Sequence, residues 1–254
     1  MILSSKGIIL KVFPYSNTSL ICNVFTDDYG KLTFIAKGVR KAKNPLLSIL
    51  QPFNLLEFQY YYKKNRSMQL IKEADIVISF DKLRNQLSTI VMGSAILNII
   101  NKIFENEYPN TTVFRLIYKT LNKLSSSNSS NKNFFLFFMF HLCQQLGFLP
   151  NIRHCHLCNS EFSDKAIFSE QFKSLICINC HKGNTFSSDI HLDNKSLQFL
   201  ELINKTNIDQ ISEIEISSIV LQEIYNFLIF FMKHNIHSMH YIKGLKEIEK
   251  IYYE

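Results

Sequence analysis

Apolar residues in the first 80 positions occur in short runs that are rich in β-branched and aromatic side chains and are separated by turn-forming residues. Runs of this length and composition predict β-strands. The five predicted strands cover residues 2–12, 19–26, 32–37, 49–62 and 68–78. The second and third are joined by Asp27-Asp28-Tyr29-Gly30, a tight-turn sequence in which Gly30 tolerates a positive φ. Five strands in so short a segment predict a partly open β-barrel, of which the OB fold is the commonest five-stranded form.

After residue 80 the apolar residues recur every three to four positions, which is the period of an amphipathic helix. A first helix is expected to begin near Leu83, with Asp81 or Ser79 as its N-cap. Further helices are expected over residues 113–124, 132–146, 196–203, 214–234 and 243–251. The predicted fold class is therefore α+β, with an OB-fold domain at residues 1–80 and an α-helical domain at residues 81–254. A stretch without helical period, at about 151–190, is inserted in the second domain.

Two strongly apolar segments, residues 134–142 and 220–232, are shorter than the about 20 mostly apolar residues that span a membrane. We interpret both as core helices. The N-terminus, MILSSKGIILKVFPYS, lacks the basic leader, apolar core and cleavage site of a signal peptide, so we expect a cytoplasmic protein. With 46% hydrophobic and 19% charged residues, a mainly disordered chain is excluded.

The positive charge of the chain is concentrated in the predicted barrel. The chain has 28 Lys and Arg residues against 21 Asp and Glu residues, a net charge of +7. Residues 1–80 hold eleven of the basic and five of the acidic side chains, which accounts for six of the seven excess charges. Such an asymmetry favours a polyanionic partner for the first domain.

The insertion contains two Cys-x-x-Cys pairs, Cys155/Cys158 and Cys177/Cys180, separated by 18 residues. Disulfides are rare in a reducing compartment, and this spacing is typical of a structural zinc site. Four thiolates fill the tetrahedral coordination of Zn²⁺ and leave no position for a substrate, so we predict one structural zinc ion. Redox-active cysteine pairs are the alternative interpretation. The neighbouring histidines are less favoured ligands: His154, His156 and His181.

The sequence predicts no catalytic site. Cys22 and Cys143 lie in apolar runs and are expected to behave as small buried hydrophobes. His141, on a Phe-rich helix, is expected to be a core residue. The acids are scattered and form no recognised phosphate-binding or metal-binding motif. We therefore predict that the protein is not an enzyme.

Four cations fall within the seven residues KGVRKAK, at positions 37–43, directly after the third predicted strand. In an OB barrel, loops and sheet face form a groove that follows a polyanionic backbone while aromatic rings stack on bases. The cations predicted to contact nucleic acid are Lys6, Lys37, Arg40, Lys41, Lys43, Lys63, Lys64 and Arg66. The candidate stacking residues, about half of which are expected to face the core, are Tyr15, Tyr29, Phe34, Tyr60, Tyr61 and Tyr62.

The order of these features resembles the bacterial recombination-mediator family RecO over essentially the full length of the chain. The matching motifs are KGIILK at 6–11, KGVRKAK at 37–43, LQPF at 50–53, LGFLPN at 146–151 and the two cysteine pairs. The order and spacing of the motifs carry the resemblance, because none is diagnostic alone. One departure is Tyr241-Ile242-Lys243-Gly244, where the family tends to have a Lys-Ser pair.

The resemblance implies a protein that binds single- and double-stranded DNA and anneals complementary strands. With its partner RecR, such a protein helps to load RecA onto DNA coated by single-strand-binding protein, in the bacterial cytoplasm and at the nucleoid during repair. The C-terminal tail of single-strand-binding protein is an expected partner of the helical domain, through Tyr241, Lys243 and Lys246.

Two other functions remain open from the residues alone. One is an RNA-binding factor with an OB fold and a zinc ribbon. The other, less favoured, is a metal-dependent nucleic-acid-processing enzyme. It requires a carboxylate cluster, and only Asp27 and Asp28 lie close together in the basic module.

Overall fold

The computed structural model describes residues 1–41, 43–126, 131–181, 190–242 and 244–253. Its first five strands are β1 (Ile2–Tyr15), β2 (Ser19–Thr26), β3 (Gly30–Ala36), β4 (Leu55–Tyr61) and β5 (Gln69–Ile78). They form a closed barrel in the order β1-β2-β3-β5-β4. Neighbours pair antiparallel except β3 and β5, which are parallel. The predicted five-stranded barrel is confirmed, and it is closed rather than partly open.

The barrel core is formed by apolar side chains on the inner face of every strand. Members from the five strands include Ile9, Val24, Phe34, Phe58, Tyr60 and Ile71. The Phe34 ring lies 4.9 Å from the Phe58 ring and 4.9 Å from the Tyr60 ring, centre to centre. Because these three aromatic side chains have no solvent-exposed area, they stabilise the barrel and are inaccessible to a ligand.

A β-bulge in β1 reverses the direction of its side chains. The pairing with β2 shifts register between Ile9 and Lys11, so Leu10 is the extra residue. An extra residue moves the following side chains to the opposite face. After the bulge Val12 packs against the barrel core. The exposed outer positions of this part of β1 are Lys11, Phe13 and Tyr15.

The predicted start of the fourth strand is wrong. The strand begins at Leu55 and not at residue 49, because a single helical turn, α1 (Leu46–Ile49), precedes it. The Asn54 side chain donates a hydrogen bond to the Ile49 carbonyl (2.8 Å) and stabilises this turn.

The predicted N-caps Asp81 and Ser79 do not cap the first long helix, which is α2 (Leu87–Ile103). Asp81 begins a separate short 3-10 turn and pairs with Arg84. The Ser79 hydroxyl donates instead to Asn54 Oδ1 (3.1 Å). The apolar period near Leu83 therefore belongs to a turn that precedes the helix.

The chain folds into two compact units, the first comprising Met1–Ser126 with Tyr241–Leu245 and the second comprising Ser127–His240 with Lys246–Glu254. The first unit contains the barrel, α2 and α3 (Thr111–Ser126). The Lys31 ammonium donates to the Asn101 carbonyl (2.9 Å), and the Phe25 ring packs edge-on against Phe104. These contacts attach α2 to the barrel. The domain boundary after residue 80 stays a prediction.

The second unit contains α4 (Asn131–Gln145), α5 (Asn194–Lys205), α6 (Ser218–Asn235) and most of α7 (Leu245–Tyr253). The insertion adds a three-stranded sheet, in the order β7-β6-β8, made of β6 (Lys165–Ser169), β7 (Ser174–Cys177) and β8 (Ile190–Asp193). Ten residues of α4 are buried, so the helix is a core helix as predicted. Among the described residues, no helix is both long and apolar enough to cross a membrane.

We expect replacement of Gly30 by alanine to destabilise the first unit strongly. Gly30 has φ +68°, and an added Cβ would lie 2.1 Å from the Tyr108 carbonyl oxygen. The left-handed backbone and the steric overlap together predict a loss of about 3 kcal/mol or more. Gly38→Ala is the matched control, because Gly38 has φ +70° with nothing within 4 Å of an added Cβ. Its expected loss is about 1 kcal/mol. Equal losses in urea denaturation would contradict the proposed overlap.

Candidate metal centre and nucleic-acid interface

The four predicted metal ligands lie together. The sulfur atoms of Cys155, Cys158, Cys177 and Cys180 are all within 4.8 Å of one another. Each Cys-x-x-Cys pair forms a tight turn. In the first, the Asn159 amide donates to the Cys155 carbonyl (2.9 Å). In the second, the Cys180 amide donates to the Cys177 carbonyl (3.1 Å).

Backbone amides stabilise negative charge in the cluster. Burial acts to raise the pKa of the Cys155 thiol, but backbone amide hydrogen bonds outweigh it and the net shift is downward. Two of these donors are the amides of Cys177 (3.3 Å) and Leu157 (3.4 Å). Hydrogen bonds from Ser160 lower the pKa of Cys158 to about 6. Hydrogen bonds with the sulfur atoms of Cys158 and Cys177 raise the pKa of Cys180 to about 12. The last thiol therefore resists ionisation unless a cation joins the cluster.

The donor set fits a tetrahedral metal ion of the zinc type. Four sulfur donors in mutual contact match the structural Cys₄ arrangement, and a divalent cation removes the repulsion between thiolates. Within the described residues, the cysteines form the one group of three or more potential metal ligands. His154, His156 and His181 are not in this group. The His156 ring packs instead beside Phe172, with centres 5.8 Å apart.

The insertion has a small hydrophobic core of its own. Its buried members are Cys155, Ile167 and Ile176, with Phe162 packed against them. At its start, Arg153 donates to Glu201 on α5 (2.9 Å). The four cysteines lie beside this core and bring the two turns together.

The loop after β3 carries the predicted basic cluster at one end of the barrel. Lys37, Arg40, Lys41 and Lys43 are exposed, and Ala42 lies outside the described residues. The loop is fixed to the turn between β1 and β2. The Arg40 amide donates to the Thr18 carbonyl (2.9 Å), and the Arg40 guanidinium donates to the Ser16 carbonyl (3.3 Å). The described residues of this loop therefore present four exposed cations.

The second basic group lies on the loop between β4 and β5. Its predicted members Lys63, Lys64 and Arg66 are all exposed. The buried Gln69 side chain holds this loop, because it accepts from the Lys63 amide (2.9 Å) and donates to the carbonyls of Lys63 (3.0 Å) and Arg66 (3.1 Å). Lys64 and Arg66 line a cleft that also contains Glu107. An acid therefore shares the surroundings of these cations.

The acids of the barrel are separated from the loop after β3. Residues 1–26 and 29–56 contain no Asp or Glu. Asp27 and Asp28 occupy the turn between β2 and β3, at the other end of β3. On the outer face, Glu57 of β4 lies opposite Asp75 of β5 and opposite Lys6 of β1. Lys6 is therefore next to acidic side chains and apart from the other predicted cations.

The candidate stacking residues divide into buried and exposed rings. Phe34 and Tyr60 are in the barrel core, and burial raises the pKa of Tyr60 well above its usual range. Tyr29 and Tyr62 are partly buried and pack against that core. Tyr15 and Tyr61 are exposed. Sequence reasoning missed Phe13 beside Tyr15, although their i, i+2 spacing on a strand was visible.

The C-terminal candidates are placed only in part. Lys243 lies outside the described residues. Tyr241 is 64% exposed and Lys246 is exposed. Met239, Ile242 and Leu245, the apolar residues expected to line a peptide pocket there, are buried.

The remaining cysteines and His141 are buried or half-buried. Burial raises the pKa of Cys22 to about 12 and that of Cys143 further. Burial lowers the pKa of His141, which contacts Gln144 (3.1 Å). These groups have the surroundings of core residues.

Two family models match successive parts of the chain. The family models "Recombination protein O N terminal" and "Recombination protein O C terminal" match residues 1–80 and 84–241. The chain is 27% identical to DNA repair protein RecO of Chloroherpeton thalassium over 251 residues, 94% of this chain and 95% of that protein. It is 26% identical to the Clostridium novyi protein of that name over 248 residues, which are 98% of this chain and 93% of that protein. It is 32% identical to DNA repair protein RecO of Salinibacter ruber over 151 residues, 59% of this chain and 58% of that protein.

Proposed function

The chain belongs to the recombination protein O family, and on this premise we propose that it is a DNA-binding recombination mediator and not an enzyme. It anneals complementary single strands and, with RecR, helps to load RecA onto DNA coated by single-strand-binding protein. The proteins that it resembles are named DNA repair proteins. The observation that carries the proposal is the loop after β3, where four exposed cations lie in a stretch of chain without acids.

Annealing requires charge screening and no bond chemistry. Two complementary strands repel each other through their phosphates, and cations that replace the counterions of both strands lower this barrier. Lys37, Arg40, Lys41 and Lys43 supply such cations on a loop tied to the neighbouring turn. Contacts of this kind to phosphates carry no sequence information, which suits a protein that pairs unrelated sequences.

We propose that the cysteine cluster holds one Zn²⁺ with a structural role. Cys155, Cys158, Cys177 and Cys180 provide all four ligands, so no position is left for water or substrate. When bound, the ion cross-links the two turns of the insertion, whose hydrophobic core is small. Its binding free energy is then part of the folding free energy of this region.

We propose that the helical part binds the acidic and apolar tail of single-strand-binding protein. A groove of about 360 Å³ lies between α5 and the start of α6. Phe199, Leu202 and Val220 provide apolar lining, Lys195 provides a cation, and Glu215 is the one acid among the lining residues. This chemistry suits a short peptide that combines apolar side chains with carboxylates. Tyr241, Lys243 and Lys246 stay as the alternative receptor residues.

We expect replacement of Lys37, Arg40, Lys41 and Lys43 by alanine to weaken DNA binding irrespective of sequence. The slope of log K against log salt is negative, and the loss of four phosphate contacts makes it less steep by about three. Annealing of bare complementary oligonucleotides, without metal or nucleotide, slows in parallel. Fluorescence anisotropy at several salt concentrations and a strand-annealing assay measure the two effects.

The control for that variant removes the same charge elsewhere, through alanine at Lys102, Lys119, Lys165 and Lys173, all exposed. It keeps the wild-type slope. An unchanged slope in the first variant would show that phosphates bind elsewhere. Tighter binding to RNA than to DNA of the same sequence would favour the RNA-binding alternative.

The zinc proposal predicts one zinc per chain in protein purified without chelator, measured by elemental analysis. Cys158→Ser lowers the zinc content well below one, because a hydroxyl replaces a thiolate ligand. Cys143→Ala is the control, since Cys143 is buried outside the cluster, and it retains zinc. Absence of stoichiometric metal from the wild-type protein refutes the proposal.

The tail proposal predicts that Lys195→Glu weakens binding of a labelled tail peptide to the full chain by about tenfold, through loss of a charged hydrogen bond. Lys250→Glu, on α7, leaves the affinity unchanged. The same titration with Lys246→Glu tests the alternative receptor. Loss of binding in Lys246→Glu alone would place the tail near the C-terminus and contradict the groove.

A further inference from the structure

Two aromatic rings stand on the outer face of β1 at the basic end of the barrel. Phe13 is 36% exposed and Tyr15 is 46% exposed. They are two residues apart on one strand, so both rings lie on the same face, about 7 Å apart along the strand. The Lys11 ammonium lies 6.0 Å from the centre of the Phe13 ring. The strand therefore presents a cation and two rings in a row.

We propose that Phe13 and Tyr15 form a stacking platform for two unpaired bases, which makes this end of the barrel prefer single-stranded to double-stranded DNA. The inference rests on the proposed DNA-binding function and adds a site to it. Bases stack on aromatic rings in a sequence-tolerant way, whereas the bases of a duplex are already stacked on each other. Phosphate contacts alone give no such preference.

The charges around the rings match a nucleic-acid backbone. Arg40 donates to the carbonyl of Ser16, the residue that follows Tyr15, and its amide donates to the Thr18 carbonyl. A guanidinium has five N–H donors, so this contact leaves others for a phosphate. Lys37 follows the end of β3, where Ala36 pairs with Leu20 of β2. The rings thus lie beside cations in the part of the barrel without acids.

The outward direction of the rings follows from the bulge at Leu10. Before the bulge, odd-numbered residues of β1 such as Leu3 and Ile9 face the core. Because side chains alternate between the two faces of a strand, the odd-numbered Phe13 would also face the core if the bulge were absent. The strand after the bulge instead directs Val12 to the core. The bulge therefore places both rings on the outer face, and Pro14 between them is exposed as well.

The platform also suggests how an annealing protein releases its product. Unpaired bases of one strand occupy the rings while the cations hold its phosphates. When the complementary strand pairs with these bases, they leave the rings and stack within the duplex. The duplex then keeps only the phosphate contacts, and it binds more weakly than the single strand.

The first test compares Phe13→Leu/Tyr15→Leu with the wild-type full chain. Leucine keeps an apolar side chain and removes the ring face. We expect the Kd for a 20-nucleotide oligothymidylate to rise between tenfold and a hundredfold, and the Kd for a 20-base-pair duplex to stay within about twofold. Tyr108→Leu is the matched control, because Tyr108 is a 66% exposed ring of the same unit, and it changes neither value.

A strand with abasic sites in place of every base separates stacking from charge. The wild-type protein binds it more weakly than oligothymidylate, and the leucine variant binds both equally. A variant that loses affinity for the abasic strand to the same extent would overturn the platform. If the leucine variant lost binding to the tail peptide but kept binding to single-stranded DNA, the rings would be assigned to a protein partner instead.

Fluorescence gives a direct readout, because the chain contains no tryptophan. Phe13→Trp places a single indole in the platform, and we expect single-stranded DNA to quench its emission and a duplex to leave it nearly unchanged. We expect neither single-stranded DNA nor a duplex to quench the emission of the control variant Tyr108→Trp. Equal quenching of Phe13→Trp by both DNAs would refute base stacking while leaving DNA binding intact. Failure of the wild-type chain to bind any DNA would instead refute the proposed function itself.

Discussion

Closure of the barrel depends on β1, which pairs with β4 through its first half and with β2 through its second. The strand has to bend where it passes from one partner to the other. At Gly7 a side chain is excluded, since a Cβ would lie 2.3 Å from Val24 Cγ1. The bulge at Leu10 follows directly and increases the local twist. The same bend that closes the barrel turns Lys11, Phe13 and Tyr15 outward.

Charge is sorted by position on this closed barrel. Acids occupy the turn between β2 and β3 and the outer face of β4 and β5. The loop after β3 and the hairpin formed by the end of β1 and the start of β2 contain cations and no acids. A polyanion is therefore attracted to the end of the barrel that has no acids. In the insertion, four sulfur atoms lie within reach of one cation, and the thiol of Cys180 resists ionisation until a cation joins it. In both places, the side chains that the fold brings together define what binds there.

Much of the fold and of the metal site was predictable, because both depend on local sequence patterns. The hairpin turn with Gly30 and the gathering of the two cysteine pairs are confirmed by the structure. The bulge was not predictable, since the run from Ile8 to Leu10 is apolar throughout and contains no alternation to reveal a change of face. The helical turn at Leu46–Ile49 was missed because its apolar residues also suit a strand. The acidic neighbours of Lys6 arise from pairing with β4, which is distant in sequence.

The account centres on the claim that DNA lies across the hairpin of β1 and β2 and the loop after β3. Hydrogen exchange of the full chain, with and without single-stranded DNA, tests it most directly. We predict slower exchange of backbone amides at residues 11–19 and 37–44, with no change on β4 and β5 around Glu57 and Asp75. Protection confined to the loop at residues 62–68, or to the helices of the second unit, would contradict the account.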